Sequence, residues 1–463
     1  MRRNRAFVPV TLKENLSWSE VARIEINAPD LPGLMIDVGR SRRYPYGGEA
    51  AHVLGYVASV SEKDIDEDPL LKLPGFRVGR AGIEKVHDLE LRGTGGSSEV
   101  EVNAFGRMIR ELSRREGQPG AEVMLTLDMG LQQYIAQRLG DESASVVVMD
   151  VRNGDVLAMV SNPSYDSNDF NRGLSSGEWQ QLVNNERSPL INKSIAGVYS
   201  PGSTFKMMVL LAALEKGVIS PDHKIHCSGE YELGDAKFHC WKKHGHGFVD
   251  STEAITESCD VYFYEIAKRT GIDRIATTAR KFGLSEPTGI DLPGEQGGLI
   301  PTRDWKRATR DEPWHQGETV IAGIGQGYVL VTPLQLALMT ARIANGGRAV
   351  VPRLTRAIGG EPVQQPLDIP SLNISPKYVE LVTQAMDRVV NHPTGTARRS
   401  ATGIDTFPMA GKTGTVQVRR ITKQEREQGV RKNEDLPWRY RDHALFVGFA
   451  PVENPRYAVS VVV

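Results

Sequence analysis

This 463-residue chain has no apolar run of the ~18 residues that a membrane-crossing helix needs, so no segment reads as a span or a secretory signal. It also lacks a charge bias: 56 Lys and Arg against 57 Asp and Glu leave a formal net charge of −1. That balance excludes the electrostatic footprint of a nucleic-acid binder, and the short basic start Arg2-Arg3-Asn4-Arg5 does not restore it. Strong internal repeats and long low-complexity tracts are missing too, which excludes a solenoid or a disordered linker. Cysteine is scarce, and a count of three excludes complete pairing in disulfides.

What is present is a chain longer than one hydrophobic core usually supports, so two domains are expected. Three short motifs then occur in order: Ser203-Thr204-Phe205-Lys206, Ser258-Cys259-Asp260 and Lys412-Thr413-Gly414-Thr415. The first reads as a helix start, because Ser200-Pro201-Gly202 breaks the chain and Met207 to Leu214 then runs apolar. Residues three apart share a helix face, so Ser203 Oγ and Lys206 Nζ are expected within hydrogen-bond reach. The helix dipole and neighbouring cations favour a neutral Lys206, able to take the serine proton as general base. Backbone N–H groups at the same helix start would face a developing oxyanion. Alone, a Ser-x-x-Lys is commonly an N-cap or a solvated face.

The third motif reads as a strand with small residues where another backbone can approach. An extended peptide could add to such an edge, with Thr413, Thr415 and Lys412 facing a carboxylate. The plainer reading is a solvated edge whose lysine blocks aggregation. Together the motifs point to acyl transfer through an activated serine.

The ordered trio resembles the penicilloyl serine transferases, and the chain is most similar to class B penicillin-binding proteins of the cell-elongation type. Support comes also from Tyr44-Pro45-Tyr46-Gly47, His52 to Val57, Gly82-Ile83-Glu84 with Leu91-Arg92-Gly93, and Thr126-Leu127-Asp128 with Leu131-Gln132. Gly289 to Glu295, Gly323 to Gly327 with Thr332 to Gln335, and Val447 to Pro451 extend it over nearly the whole chain. The resemblance implies an α+β fold: a transpeptidase domain with a central antiparallel sheet flanked by helices, preceded by a smaller mixed α/β pedestal domain. It implies a peptidoglycan D,D-transpeptidase that cross-links stem peptides, releases D-alanine and is trapped by β-lactams. It further implies Ser203 as nucleophile, Lys206 as its activator, Ser258 and Asp260 as second motif, and Lys412, Thr413, Gly414 and Thr415 as third. The backbone N–H groups of Ser203 and Thr415 would form the oxyanion hole. The second motif usually ends in Asn; here Asp260 can accept but, when ionised, cannot donate, and it is expected to hydrogen-bond Lys206 or to order its loop rather than to activate water as a base. Implied partners are a membrane glycosyltransferase of the elongation complex and its scaffold proteins. No organic cofactor is implied.

Boundaries are expected at 1–117 for the pedestal and 118–463 for the transpeptidase domain. Ser17 to Glu20 reads as a capping box, Pro69 to Pro74 as a turn region, and Asn153-Gly154 as a hairpin turn between two strands. The strands around Leu445 and Tyr457 should join that hairpin and the third motif in one antiparallel sheet. Arg419 to Asp442 reads as a charged loop beside the cleft. The family is anchored by an N-terminal helix in the inner membrane, with its catalytic domain in the periplasm. This chain is accordingly expected to begin part-way into the extracytoplasmic region and to stop within a strand.

The three cysteines form the pattern C-x12-C-x5-H-x12-C with His246. Cys227, Cys240, His246 and Cys259 can close a tetrahedral structural zinc site, with His239 or His244 as possible substitutes for His246. The competing readings are a Cys227–Cys240 disulfide with a buried inert Cys259, and unlinked thiols throughout. Two other functions stay open: a hydrolase such as a β-lactamase or D,D-carboxypeptidase, and a β-lactam-binding scaffold that activates the glycosyltransferase.

Overall fold

A run of β-branched residues, Val146 to Val148, makes the centre of the fold, because such side chains pack well on a pleated surface. In the computed structural model, which describes residues 12–463 except 15, 37–40, 62–63, 65–70, 72–74, 104–107, 367, 404–406, 420–424 and 426–430, this run lies in a five-stranded sheet. Its strands are β1 (Ala144–Asp150), β2 (Val156–Asn162), β3 (Ala410–Val416), β4 (His443–Ala450) and β5 (Tyr457–Val462). Their spatial order is β3-β4-β5-β1-β2, antiparallel throughout, so strands from both ends of the domain pair as expected. The hairpin between β1 and β2 turns at Gly154, whose φ of +81° an L side chain would strain. The third motif occupies β3, and β3 is an end strand with β4 as its single neighbour among the described residues.

Helices cover the sheet and fill the middle of the sequence. They include α1 (Lys206–Glu215), α2 (Ser251–Thr256), α3 (Asp260–Thr270), α4 (Pro333–Ala344) and α5 (Pro376–Asn391). Helix α1 is apolar all round, and every residue from Lys206 to Leu214 is buried, which makes it the hub of the helical layer. It packs against α3 and α5, while α4 lies on β5 and β1. Thr332 and Gln335 cap α4 reciprocally, and Ser460 Oγ of β5 donates to Pro333 O at 2.6 Å.

The described residues divide into two units. One holds 1–124, 164–190 and 355–363; the other holds 125–163, 191–354 and 364–463. In the first, Ser17 and Glu20 form the expected capping box of the helix Trp18–Ile26. Buried Tyr44 and Glu84 bond through Tyr44 Oη at 3.2 Å. A two-stranded ribbon, Ser97–Val102 with Met108–Arg115, belongs to the same unit. Arg2 to Arg5, most of the turn region Pro69 to Pro74 and most of the segment between Arg420 and Val430 lie outside the described residues. No described helix is long and apolar enough to cross a membrane.

Candidate active site

Ser203 sits in the 3-10 turn Gly202–Phe205 that leads into α1. That turn is held against its surroundings by the backbone. Gly202 N–H donates to Gly325 O at 2.9 Å, and Thr204 Oγ1 donates to Pro201 O at 2.7 Å. Gly202 has φ +54°, and a methyl there would lie 3.0 Å from Thr415 O. A methyl on Gly414 would lie 2.9 Å from Pro201 O. The serine turn and the third-motif strand therefore touch backbone to backbone, at glycines, on one face of β3.

The second motif joins them from the other side. Helix α2 ends in a reversal, with Ser258 N–H bonded to Ile255 O at 3.2 Å and Cys259 N–H to Ala254 O at 2.9 Å. This turn puts Ser258 at φ +56°, an uncommon conformation for a residue with a Cβ. It aims both the carbonyl and the hydroxyl of Ser258 at buried lysines. Lys206 Nζ donates to Ser258 O at 2.9 Å, Ser258 Oγ at 3.2 Å and Asp260 Oδ1 at 2.7 Å. Lys412 Nζ donates to Ser258 Oγ at 2.9 Å and to Thr413 O at 3.0 Å. Both lysine side chains are shut off from solvent.

One expectation changes at this point. The three donors of Lys206 are taken up by Ser258 and Asp260, and among the described residues no hydrogen bond joins Lys206 to Ser203. Sharing a helix face brings Ser203 and Lys206 close along the chain, but a carboxylate 54 residues on captures the amine. A pressure toward an unprotonated amine falls on Lys412. Burial first, then the charge of Lys206, push its pKa well below the ordinary lysine value, and Asp260 only partly opposes them.

Thr413 Oγ1 lies 3.2 Å from Thr396 Oγ1. Thr396 follows the end of α5, and neither its type nor its spacing marks it in sequence. Trp241 is likewise unmarked except by its place after Cys240: its backbone N–H donates to Asp260 Oδ2 at 3.0 Å.

Cys227, Cys240, His246 and Cys259 come together, with their candidate ligand atoms all within 4.8 Å of one another. His246 Nδ1 lies 3.5 Å from the sulfurs of both Cys227 and Cys240. All three cysteines are buried and unbridged. His239 and His244 are exposed and stand outside the group. Cys227 ends the strand Ile225–Cys227, His246 precedes its partner Gly247–Val249, and Cys259 caps α3. Burial pushes the Cys227 thiol up, whereas the thiol of Cys259, hydrogen-bonded to Cys240, holds the latter well below the ordinary thiol range.

Comparison with known proteins places this geometry. Residues 144–463 match the family model of the penicillin binding protein transpeptidase domain, and residues 1–125 that of the penicillin-binding protein dimerisation domain. The chain is 39% identical to the peptidoglycan D,D-transpeptidase MrdA of Haemophilus influenzae, over all of this chain and 72% of that protein. It is 38% identical to MrdA of Escherichia coli K12, over 99% of this chain and 74% of that one. Among solved structures it resembles Pseudomonas aeruginosa PBP2 in complex with WCK 5153, with a TM-score of 0.79 and 37% identity over 91% of this chain and 85% of that one. It also resembles Helicobacter pylori PBP2 in complex with MreC, with a TM-score of 0.84 and 32% identity over 96% and 79% of the two chains. A transpeptidase domain in which the three motifs meet, preceded in sequence by a dimerisation domain, makes this chain a member of the class B penicillin-binding proteins.

Proposed function

We propose that this chain is the peptidoglycan D,D-transpeptidase of cell elongation, working through an acyl-enzyme on Ser203. The observation that carries the reading is the buried network of Lys206, Ser258, Asp260 and Lys412, bonded at 2.7 to 3.2 Å beside the serine turn and the edge of β3. A stem peptide ending in D-Ala-D-Ala adds along Lys412 to Thr415, where Thr413 and Thr415 hydroxyls and the Lys412 amine meet its carboxylate. Ser203 Oγ attacks the penultimate D-alanyl carbonyl and gives its proton to the lysine network. Ser258 Oγ bonds both amines, so a proton accepted there is shared between Lys206 and Lys412. The backbone N–H groups of Ser203 and Thr415 stabilise the oxyanion. The scissile bond breaks, D-alanine leaves as an amine after taking a proton, and an acceptor amine attacks the ester to form the cross-link and free Ser203.

The cysteine cluster fits a structural zinc ion. Zn–S bonds of about 2.3 Å and a Zn–N bond of about 2.0 Å at tetrahedral angles put sulfur and nitrogen about 3.5 Å apart, which agrees with the 3.5 Å found here. His246 Nε2 is buried without a hydrogen-bond partner and lies 3.9 Å from Glu257 Oε2, where a carboxylate orients a metal-bound imidazole. Cys227, Cys240, His246 Nδ1 and Cys259 would hold the ion, which supplies rigidity and no step of the reaction.

Residues 1–117 are assigned as the pedestal and 118–463 as the transpeptidase domain. The pedestal meets scaffold proteins and a membrane glycosyltransferase of the elongation complex; Helicobacter pylori PBP2 in complex with MreC, and a chain from a peptidoglycan synthase complex, are the similar structures that support this. The protein is placed in the periplasm, tethered to the inner membrane by one helix. Intact mass after penicillin treatment tests the chemistry: one penicilloyl adduct is expected on the protein and none on Ser203→Ala. A wild-type chain that stays unmodified refutes the reading, and fast loss of the adduct transfers it to a hydrolase.

A further inference from the structure

Trp241 is 60% exposed, yet both of its N–H groups are engaged. The backbone N–H donates to Asp260 Oδ2 at 3.0 Å. The indole Nε1–H is shared between Glu257 O at 3.0 Å and Ser258 O at 3.2 Å. Those carbonyls lie just past the end of α2, where no helical partner exists for them. The ring stands edge-on to His246, with centroids 5.5 Å apart and an interplanar angle of 67°.

Two of the three residues that accept from Trp241, Ser258 and Asp260, also accept from Lys206. Asp260 binds Trp241 through one carboxylate oxygen and Lys206 through the other. Ser258 O receives both the indole and the lysine. Trp241 follows Cys240 directly, so the loop carrying two of the four clustered side chains, Cys240 and His246, is tied to the second motif by a side chain that packs into no core. A solvent-exposed tryptophan with such bonds acts as a strap across a turn that its own backbone does not favour, since Ser258 keeps φ +56°.

We propose that Trp241 is a positioning residue for acylation: by holding Ser258 and Asp260 from outside, it fixes where Lys206 presents its amine to the serine turn. The inference rests on the acyl-enzyme reading above. Small errors in such placement cost rate, because reacting groups must lie within a near-attack geometry. The role falls on the rate of bond formation, since Trp241 bonds to the motif residues and to none of the residues assigned to the substrate carboxylate.

Rapid-mixing kinetics with a fluorescent penicillin on wild type, Trp241→Phe and Trp241→Ala separate the binding constant, the acylation rate constant and the acylated fraction. Trp241→Phe keeps an aromatic ring and the backbone N–H, and removes the indole donor with part of the bicycle. Its acylation rate constant should fall about three- to tenfold, the worth of one hydrogen bond. The binding constant, acylated fraction, melting temperature and metal content should stay at their wild-type values. Trp241→Ala should be slowed at least as much. An unchanged rate constant in both variants overturns the inference, and so does a loss that appears only as a smaller acylated fraction or a lower melting temperature. Failure of the wild type itself to acylate counts against the proposed function instead, so the two failures are distinct.

Discussion

Lys412 Nζ donates to Ser258 Oγ at 2.9 Å from a site with no solvent access. The facing charged groups are Lys206, which opposes protonation of Lys412 as burial does, and Asp260, which favours it; burial and Lys206 together outweigh Asp260. In the unfolded chain the same amine titrates near its ordinary value of 10.5, so below that pH the unfolded state binds the extra proton. This contribution to stability is therefore complete above pH 10.5 and is lost as the pH falls toward the lowered native pKa. Lys412→Met removes the titrating group from a dry site. It should abolish acylation, melt no lower than wild type near neutral pH, and flatten the rise of melting temperature between pH 7 and 10. A variant that melts lower and keeps the wild-type slope contradicts the burial argument.

Asp260 stands where the wider superfamily usually has Asn, and its two oxygens divide between Lys206 and the Trp241 backbone. An amide keeps one acceptor, so Asp260→Asn should retain acylation within about tenfold, the scale of one charge-assisted hydrogen bond. Asp260→Ala leaves the Lys206 amine buried without its carboxylate, which costs about 3–5 kcal/mol when one partner of such a pair is removed. Thermal melts and acylation rates of the two variants check this. Equal damage in both would mean that the negative charge, rather than the acceptor, is what the site needs.

Much of this site is legible in the sequence. The serine motif is marked by a chain break followed by an apolar helix, and the third motif by a glycine within a strand pattern. The cysteine and histidine spacing marks the cluster before any fold is known, because thiolates and imidazoles at such intervals have few other uses. The bond from Lys206 to Asp260 is legible as one of two roles open to the second-motif carboxylate, but not in helical spacing, which points to Ser203, because it is a tertiary contact that local periodicity does not encode. Thr396 and Trp241 are hidden for the same reason: Thr396 meets Thr413, 17 positions away, and Trp241 meets Ser258 and Asp260, 17 and 19 positions away. The five-stranded sheet is legible as a set of strands, but its order comes from closing the two ends of the domain on each other.

Gly414 allows the third-motif strand to lie against the serine turn. A methyl at this position would stand 2.9 Å from Pro201 O, 3.1 Å from Thr204 Cγ2 and 3.2 Å from Leu445 Cβ. Two of these neighbours belong to the turn around Ser203 and the third to β4, so no flexible side-chain end can move aside. Gly414→Ala should cost about 1–3 kcal/mol of stability by overpacking. The turn and the strand would part, so acylation should slow by more than tenfold, read by gel fluorescence of a labelled penicillin over time. Wild-type rates would show that the close approach is incidental.

Metal removal tests the link between the cysteine cluster and the second motif. Cys259 caps α3 directly before Asp260, so an ion held there fixes the helix start that carries the carboxylate. A ligand present at a hundredfold its dissociation constant stabilises the folded state by about 2.7 kcal/mol. Protein purified without added metal should contain about one zinc per chain, as a site with one set of four ligands requires. Treatment with a strong chelator should release it, expose three titratable thiols and lower the melting temperature. Acylation should slow because Asp260 and Ser258 lose their support, and added zinc should restore both properties. Protein that carries no zinc and shows three reactive thiols from the start would remove the metal from this description. The lysine–serine network would then stand on its hydrogen bonds alone, and the chelator would change neither rate nor melting temperature.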